Sequence, residues 1–432
     1  MICENLSVNE QGHLTLAGQD VCGLAGQYGT PLFLMDEDRI RQNIRTFRAA
    51  LKVAFGDGAG LLYAGKACSF RHIYRIMQEE GAGIDAVSAG ELLTAEAAGF
   101  ELSQAYFHGN NKTDEDIRLG LKLGTGCFVT DSEDELLALE EAAAAAGMRQ
   151  KILLRITPGI DPHTYAAVDT GQVDSKFGSA IATGAAEDIT RLALQQPHLD
   201  LAGFHCHVGS QLFDEQVPVR AASVLGTFAA DMRDQLGFSA RELDLGGGFG
   251  IRYTEDDPVP DAGKVLSEVA EALRQISRKR HFPLPFVLFE PGRRLVADAG
   301  LTVYTVGSVK RIPGFKTYVS VDGGMSDNPR YALYGSHYTC LAAGKMNEPA
   351  DMPCDLVGRL CESGDILQPG IRLPASIKRG DLVAVCTTGA YTYSMVSHYN
   401  RLPAPPVVML SGGTSAVAVR RETAEDRLRL DV

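Results

Sequence analysis

Residues 61–67 read Leu61-Leu62-Tyr63-Ala64-Gly65-Lys66-Ala67: a run fit for a buried strand, then a lysine between small neighbours. Short apolar runs with polar endings recur at 84–87, 106–108, 127–130, 152–156, 201–207, 243–245 and 286–289. In order, these endings are Asp85 with Ser88, His108, Asp131, Arg155, His207, the triplet Gly246-Gly247-Gly248, and Glu290 with Arg293. Amphipathic stretches at helical spacing lie between them. Ile40, Ile44, Phe47 and Leu51 follow Asp36 as an N-cap, 132–146 mixes leucine with acidic residues, and Val265, Val269 and Leu273 share one face of 264–278. Eight strands in such a βα alternation over about 250 residues predict an α/β fold, a (β/α)8 TIM-type barrel, with an open doubly wound sheet as the alternative. In a barrel all eight strand ends converge on one mouth, where the chemistry of such folds is placed.

The barrel is expected to span 31–295. Beyond it the helical period fades, and β-rich runs at 302–312, 317–321, 382–387, 407–410 and 416–420 predict an all-β domain over 296–432. Residues 1–30 fit neither a helix nor a barrel unit, and their strand-like stretch 12–17 is expected to complete that domain.

Composition narrows the function. The 432 residues carry 41 Lys and Arg against 54 Asp and Glu, a net charge of -13, which leaves no basic face for nucleic acid or an anionic membrane. Nine cysteines are scattered without a C-x-x-C, so neither a disulfide framework nor a zinc finger is expected. No run approaches the roughly 18 apolar residues of a membrane span, and the first residues lack a basic segment followed by an apolar one. A soluble, cytoplasmic enzyme of small molecules is the expectation.

Gly246-Gly247-Gly248-Phe249-Gly250 follows the seventh strand. Consecutive glycines let backbone N–H groups cradle a phosphate; a tight turn needing positive φ is the plainer reading, and GGGFG is not the GxGxxG of a dinucleotide site. Lys66 is either a solvated lysine or, at a barrel mouth, an amine able to form a Schiff base. A Schiff-base lysine beside a phosphate site suggests pyridoxal phosphate, whose pyridine nitrogen needs a carboxylate partner, here Glu290. His207 offers a face for the ring. His205 and His207 also point the same way on a strand, so a metal pair is the rival, but no third ligand stands nearby at metal spacing and no metal is expected.

The chain resembles the pyridoxal-phosphate-dependent diaminopimelate decarboxylases, which pair an alanine-racemase-like barrel with a β domain. The resemblance rests on Tyr63-Ala64-Gly65-Lys66-Ala67, Asp85-Ala86-Val87-Ser88-Ala89-Gly90-Glu91, His108-Gly109-Asn110-Asn111-Lys112, His205-Cys206-His207-Val208-Gly209-Ser210-Gln211, the glycine triplet, Glu290-Pro291-Gly292-Arg293, Asp322-Gly323-Gly324-Met325, Cys361-Glu362-Ser363-Gly364-Asp365 and Gly389-Ala390-Tyr391. It implies decarboxylation of meso-diaminopimelate to L-lysine, the last step of lysine biosynthesis. Lys66 is then the Schiff-base lysine and His207 the residue stacked on the ring. Ser210, Gly246, Gly247, Gly248, Glu290, Pro291, Gly292 and Arg293 become phosphate and ring contacts, with Asp85, Arg155 and Tyr391 also in the cofactor set. Arg293, Arg330, Tyr334 and Tyr391 resemble substrate contacts, Glu362 meets the distal ammonium, and Cys361 is the proton donor. Cys361 and Glu362 reach the other subunit's barrel in this family, so a homodimer is implied.

Those roles have a physical logic. The distal end of the substrate is a zwitterion, recognised by a cation and an anion together. The carbanion left after CO2 departs needs an acid, and a thiol beside Glu362 is expected to keep its proton. One departure stands out: 397–406 keeps Tyr399-Asn400 but carries Ala404 where Arg, and Pro406 where Glu, are frequent, which puts that loop's contacts in doubt. Two other functions stay open: a related decarboxylase of ornithine, arginine or carboxynorspermidine, and a catalytically silent homologue that binds a partner.

Overall fold

The computed structural model describes residues 1–160 and 173–432. They form two compact units, one of 44–250 with 259–292 and one of 1–43 with 251–258 and 293–432.

The first unit holds eight parallel strands: β1 (Ala59–Ala64), β2 (Gly83–Ala86), β3 (Ala105–Phe107), β4 (Cys127–Thr130), β5 (Gln150–Thr157), β6 (Leu199–His205), β7 (Glu242–Asp244) and β8 (Phe286–Phe289). Each pairs with the next in sequence, and β8 pairs with β1, closing the ring as a (β/α)8 barrel. A helix follows each of β1 to β7. Their starts are set locally: Ser88, Ser132 and Asp261 each accept a backbone N–H of the first turn, and Thr113 forms a capping box with Asp116.

Strand alternation sorts the barrel interior into tiers. At its floor, the Tyr106 hydroxyl donates to Glu242 at 2.8 Å and the Lys151 ammonium donates to Glu242 at 2.8 Å. Above it Leu62, Cys127, Val129, Leu153, Ala202 and Leu288 pack together as an apolar layer. Two residues further on, the same inward faces carry Asp131, Arg155 and Glu290, while Gly83 precedes Asp85, Tyr106 precedes His108 and Glu242 precedes Asp244. On β6 the phase shifts: Ala202 points inward, yet Phe204 packs outside against Phe228 with ring centroids 4.9 Å apart. An irregularity in pairing between Leu201 and Gly203 absorbs the difference and turns His205 inward.

The strands expected at 84–87, 106–108 and 201–207 keep their lengths but lie one or two residues earlier in the structure, at 83–86, 105–107 and 199–205, which leaves His108 and His207 just beyond the ladders. The backbone continues the pairing briefly, with His108 N–H donating to Ala86 and Cys206 N–H to Asp244.

The second unit is built on a nine-stranded sheet in which the long strand Gly300–Ile312 pairs with Leu32–Asp36, Lys316–Val321 and Leu382–Cys386. A small sheet of Leu6–Val8, Leu14–Leu16 and Gln19–Asp20 joins it: Leu14 and Leu16 share one core with Leu32, Leu34, Leu301 and Val303. The N-terminal segment therefore completes the β domain. Leu32–Asp36, counted within 31–295 in the sequence reading, is hydrogen-bonded into this sheet instead, antiparallel to 300–303 and parallel to 407–410. All five of its residues are buried, the pattern of a central strand. Asp36 does cap the following helix, its carboxylate accepting Arg39 N–H at 3.1 Å. Among the described residues no helix is long and apolar enough to cross a membrane.

Candidate active site

At the end of β1 the chain turns through Gly65–Ala67, where a Cβ on Gly65 would stand 2.7 Å from the Tyr74 hydroxyl. The turn sends Lys66 upward with its side chain 40% exposed, while its Nζ lies 3.3 Å from Oδ2 of fully buried Asp85. From there the polar tier runs on. Nε2 of His108 is 3.8 Å from Asp85 Oδ1 and 2.7 Å from Glu290 Oε1; Nε2 of His205 is 3.3 Å from Glu290 Oε2. The two imidazoles meet edge to face at 4.8 Å.

Electrostatics assign the protons of this cluster. Burial opposes ionisation of Glu290, but the field of His108, with ring nitrogens of His108 and His205 close against its two oxygens, outweighs it and holds the carboxyl well below its usual range. Burial, then the charge of Glu290, pushes Asp244 well above its own range. Asp244 keeps its proton and Glu290 stays a carboxylate. Burial lowers His205 to about 3 against the pull of Glu290, so that ring is neutral. His108, His205, Asp244 and Glu290 bring four possible metal-ligand atoms within 4.8 Å of one another, a grouping the sequence reading missed.

The glycine triplet sits where backbones close on one another. Gly246 and Gly248 have φ of 65° and 98°, so the positive-φ reading of the triplet holds at both. A Cβ on Gly247 would collide with the Glu290 carbonyl, and one on Gly248 with that of Gly209. Gly246 N–H donates to Asp244 at 2.9 Å and Gly247 N–H to Nδ1 of His207 at 3.2 Å. Burial, then Lys66, drives His207 well below its usual range, leaving a neutral ring held by its Nδ1. Gly292 packs against Ala64 and Ala67, where a Cβ would approach to 2.9 Å, and Pro291 is buried beside it. Ser210 lies on the loop after β6, which Leu212 N–H ties to Gly248 at 2.9 Å. Arg155 stands 3.8 Å from Asp131 with its guanidinium 4.2 Å over Phe177.

Beside the tier lie buried Lys112 and half-buried Glu91, neither of which the sequence reading singled out. Lys112 donates to Glu135 at 2.9 Å and to the Val129 carbonyl at 2.8 Å. Glu91 accepts Val87 N–H at 2.6 Å and is raised by burial to about 7. Counting by two from Glu242 along β7 would have found Asp244; His205 lies past the irregularity in β6, and Lys112 and Glu91 lie on a loop and a helix, where that count does not reach.

The remaining predicted residues belong to the β-domain unit. Arg293 donates to the Tyr253 hydroxyl at 2.5 Å and lies 4.7 Å over the Tyr391 ring. Arg330 lies 4.3 Å over Tyr334 and 5.4 Å over Tyr391, and its buried Nε has no hydrogen-bond partner among the described residues. Tyr391 has φ of 58°, an outlier for a bulky residue, kept in place by its surroundings. Cys361 and Glu362 sit on an exposed turn; among the described cysteines only Cys361 is exposed.

These residues fit pyridoxal phosphate. Glu290 Oε1 is a buried acceptor with no aligned hydrogen-bond donor among the described residues, as a protonated ring nitrogen requires, and Lys66 is the exposed amine of the same tier.

Comparisons with known proteins agree with this chemistry. Residues 37–297 match the family model of the pyridoxal-dependent decarboxylase, pyridoxal binding domain. A diaminopimelate decarboxylase of Bacillus subtilis is 45% identical over 98% of this chain and 96% of its own length. The crystal structure of a diaminopimelate decarboxylase from M. jannaschii aligns with a TM-score of 0.91 at 30% identity, covering 99% of this chain and 98% of that one. A second structure of that enzyme, in complex with L-lysine, aligns at a TM-score of 0.90 and 29% identity over 100% of this chain and 98% of that one. The chain belongs to the pyridoxal-dependent decarboxylase family, among the diaminopimelate decarboxylases.

Proposed function

We propose that this protein, with pyridoxal phosphate, removes CO2 from meso-diaminopimelate and releases L-lysine. The observation that carries the reading is the deeply buried Glu290, with His108 and His205 at its two oxygens, in the same barrel tier as the Lys66–Asp85 pair. When bound, pyridoxal phosphate supplies an electron sink for the pair left by the departing carboxylate.

The residues around it divide the work. Lys66 holds the cofactor through its amine, and Asp85 neutralises that amine while it is free. Glu290 keeps a proton on the ring nitrogen. Neutral His207 offers a flat face, and the glycine triplet with Ser210 and the Pro291-Gly292-Arg293 turn receives the phosphate. Arg155 balances the carboxylates of the tier. On the substrate, Arg293, Arg330, Tyr334 and Tyr391 bind and orient; a buried arginine ringed by tyrosines suits a carboxylate, which accepts two parallel N–H bonds. Glu362 meets the distal ammonium. Cys361 delivers a proton to the substrate carbon that lost CO2.

Two wider features belong to the proposal. The exposed Cys361-Glu362 turn serves the barrel of a second copy, so the working form is a homodimer. Nine cysteines with no disulfide among the described residues suit the reducing cytoplasm.

Purified protein assayed for CO2 release from meso-diaminopimelate, ornithine and arginine tests the substrate. Diaminopimelate should turn over fastest; faster release from ornithine would reassign the enzyme, and no release from any of them would favour a silent partner-binding role.

A further inference from the structure

The turn Cys361-Glu362-Ser363-Gly364 is exposed, yet hydrogen bonds from three sides fix its ends. Beneath it, buried Asp365 accepts Met325 N–H at 2.6 Å on one oxygen and Leu360 N–H at 2.8 Å on the other. Neither Gly324 nor Gly358 has room for a Cβ beside that carboxylate, which requires glycine at both positions. Within the turn, Glu362 accepts Gly364 N–H at 3.2 Å. From outside, Oδ1 of Asn400 accepts the backbone N–H of Cys361 itself at 2.9 Å.

Asn400 is presented for that contact. Its φ of 50° is left-handed, a conformation that asparagine adopts more readily than most residues. Its loop is anchored on both sides: Ser397 N–H donates to the Ser326 carbonyl at 2.8 Å, four residues before Arg330, and Arg401 pairs with Asp431 at 2.8 Å. At the position of the departure from the family pattern, Ala404 N–H donates to Glu422 at 2.9 Å, and Glu422 also pairs with His398 at 2.9 Å. The loop thus links the segment that leads to Arg330 with the turn that carries the thiol, without the side chains frequent at 404 and 406.

We propose that Asn400 is a positioning residue for reprotonation: by holding the Cys361 backbone it aims the thiol at the substrate carbon. This rests on the reading of Cys361 as proton donor. In the productive step the C–C bond to the carboxylate breaks, CO2 leaves, and the electron pair takes the proton of the Cys361 S–H to form the new C–H bond. With the thiol misplaced, the pair would take its proton elsewhere than on the substrate carbon, and hydrolysis would then release the substrate as an aldehyde with its amino group left on the cofactor. CO2 is lost with no lysine formed.

The ratio of CO2 to L-lysine therefore reads out aim. Holoenzyme with excess pyridoxal phosphate is assayed on meso-diaminopimelate as wild type, Asn400→Gly, Asn400→Asp and Cys361→Ala. Asn400→Gly tolerates the left-handed backbone and removes only the acceptor, whereas Asn400→Asp keeps one. Asn400→Gly is expected to lose kcat about tenfold with KM within about twofold of wild type, and to raise the ratio above that of wild type. Asn400→Asp should restore both. A wild-type ratio in Asn400→Gly, while Cys361→Ala raises it, overturns the role of Asn400. An unchanged ratio in Cys361→Ala overturns the thiol's role, and the proposal falls with it.

Discussion

Nε2 of His108 stands 2.7 Å from Oε1 of Glu290, inside a barrel tier where the carboxylate is ionised and its neighbour Asp244 is not. Replacing Glu290 by Gln keeps the shape and removes the charge. A hydrogen bond to a charged partner is worth about 1.5–3 kcal/mol, so kcat in Glu290→Gln should fall roughly 10- to 100-fold. Steady-state kinetics on cofactor-saturated enzyme check it; kcat within twofold of wild type would remove Glu290 from the cofactor set.

Lys66 is the half-exposed amine of the tier. Lys66→Ala should lose the visible absorbance band of covalently held cofactor, whatever its residual affinity. A spectrum of reconstituted variant decides this, and an unchanged band would refute the covalent role.

The Lys112–Glu135 pair lies almost wholly out of solvent. Removing one partner strands a buried charge, so Lys112→Met should cost about 3–5 kcal/mol of stability. The double variant Lys112→Met with Glu135→Leu should recover much of that loss. Urea unfolding of the three proteins measures it.

Glu91 gives a pH dependence. Burial raises its carboxyl from the usual 4.5 to about 7, so between those values the unfolded chain has ionised this group and the folded chain has not. Its contribution is fully present below pH 4.5 and is lost as the pH rises through about 7. Glu91→Gln retains an acceptor for Val87 N–H and cannot ionise. The stability of wild type relative to this variant should therefore fall by up to about 3 kcal/mol from pH 4.5 to 7. Parallel unfolding titrations at several pH values would show a flat difference if Glu91 is solvated.

The eight strands were legible because each carries a short apolar run with a polar end, and Lys66, Glu290 and the glycine triplet could be read from those ends. Contacts set by register were not. His205 faces Glu290 only because pairing shifts between Leu201 and Gly203; Gly203, where a Cβ would collide with the Glu242 carbonyl, marks the spot in the sequence but not the register that results. Leu32–Asp36 looks like a barrel strand in isolation, and its partners lie more than 260 residues away at Gly300–Ile312 and Val407–Ser411. The roles of Asp365 and Asn400 were hidden for the same reason: a side chain bonding a distant backbone N–H leaves no periodic trace.

Decarboxylation of meso-diaminopimelate on pyridoxal phosphate is the central claim, and a paired assay of CO2 and L-lysine, with and without added pyridoxal phosphate, tests it most directly. Equal amounts of both products, lost on stripping the cofactor and regained on adding it back, are predicted. CO2 release that is indifferent to the cofactor, or no L-lysine at all from meso-diaminopimelate, would contradict it.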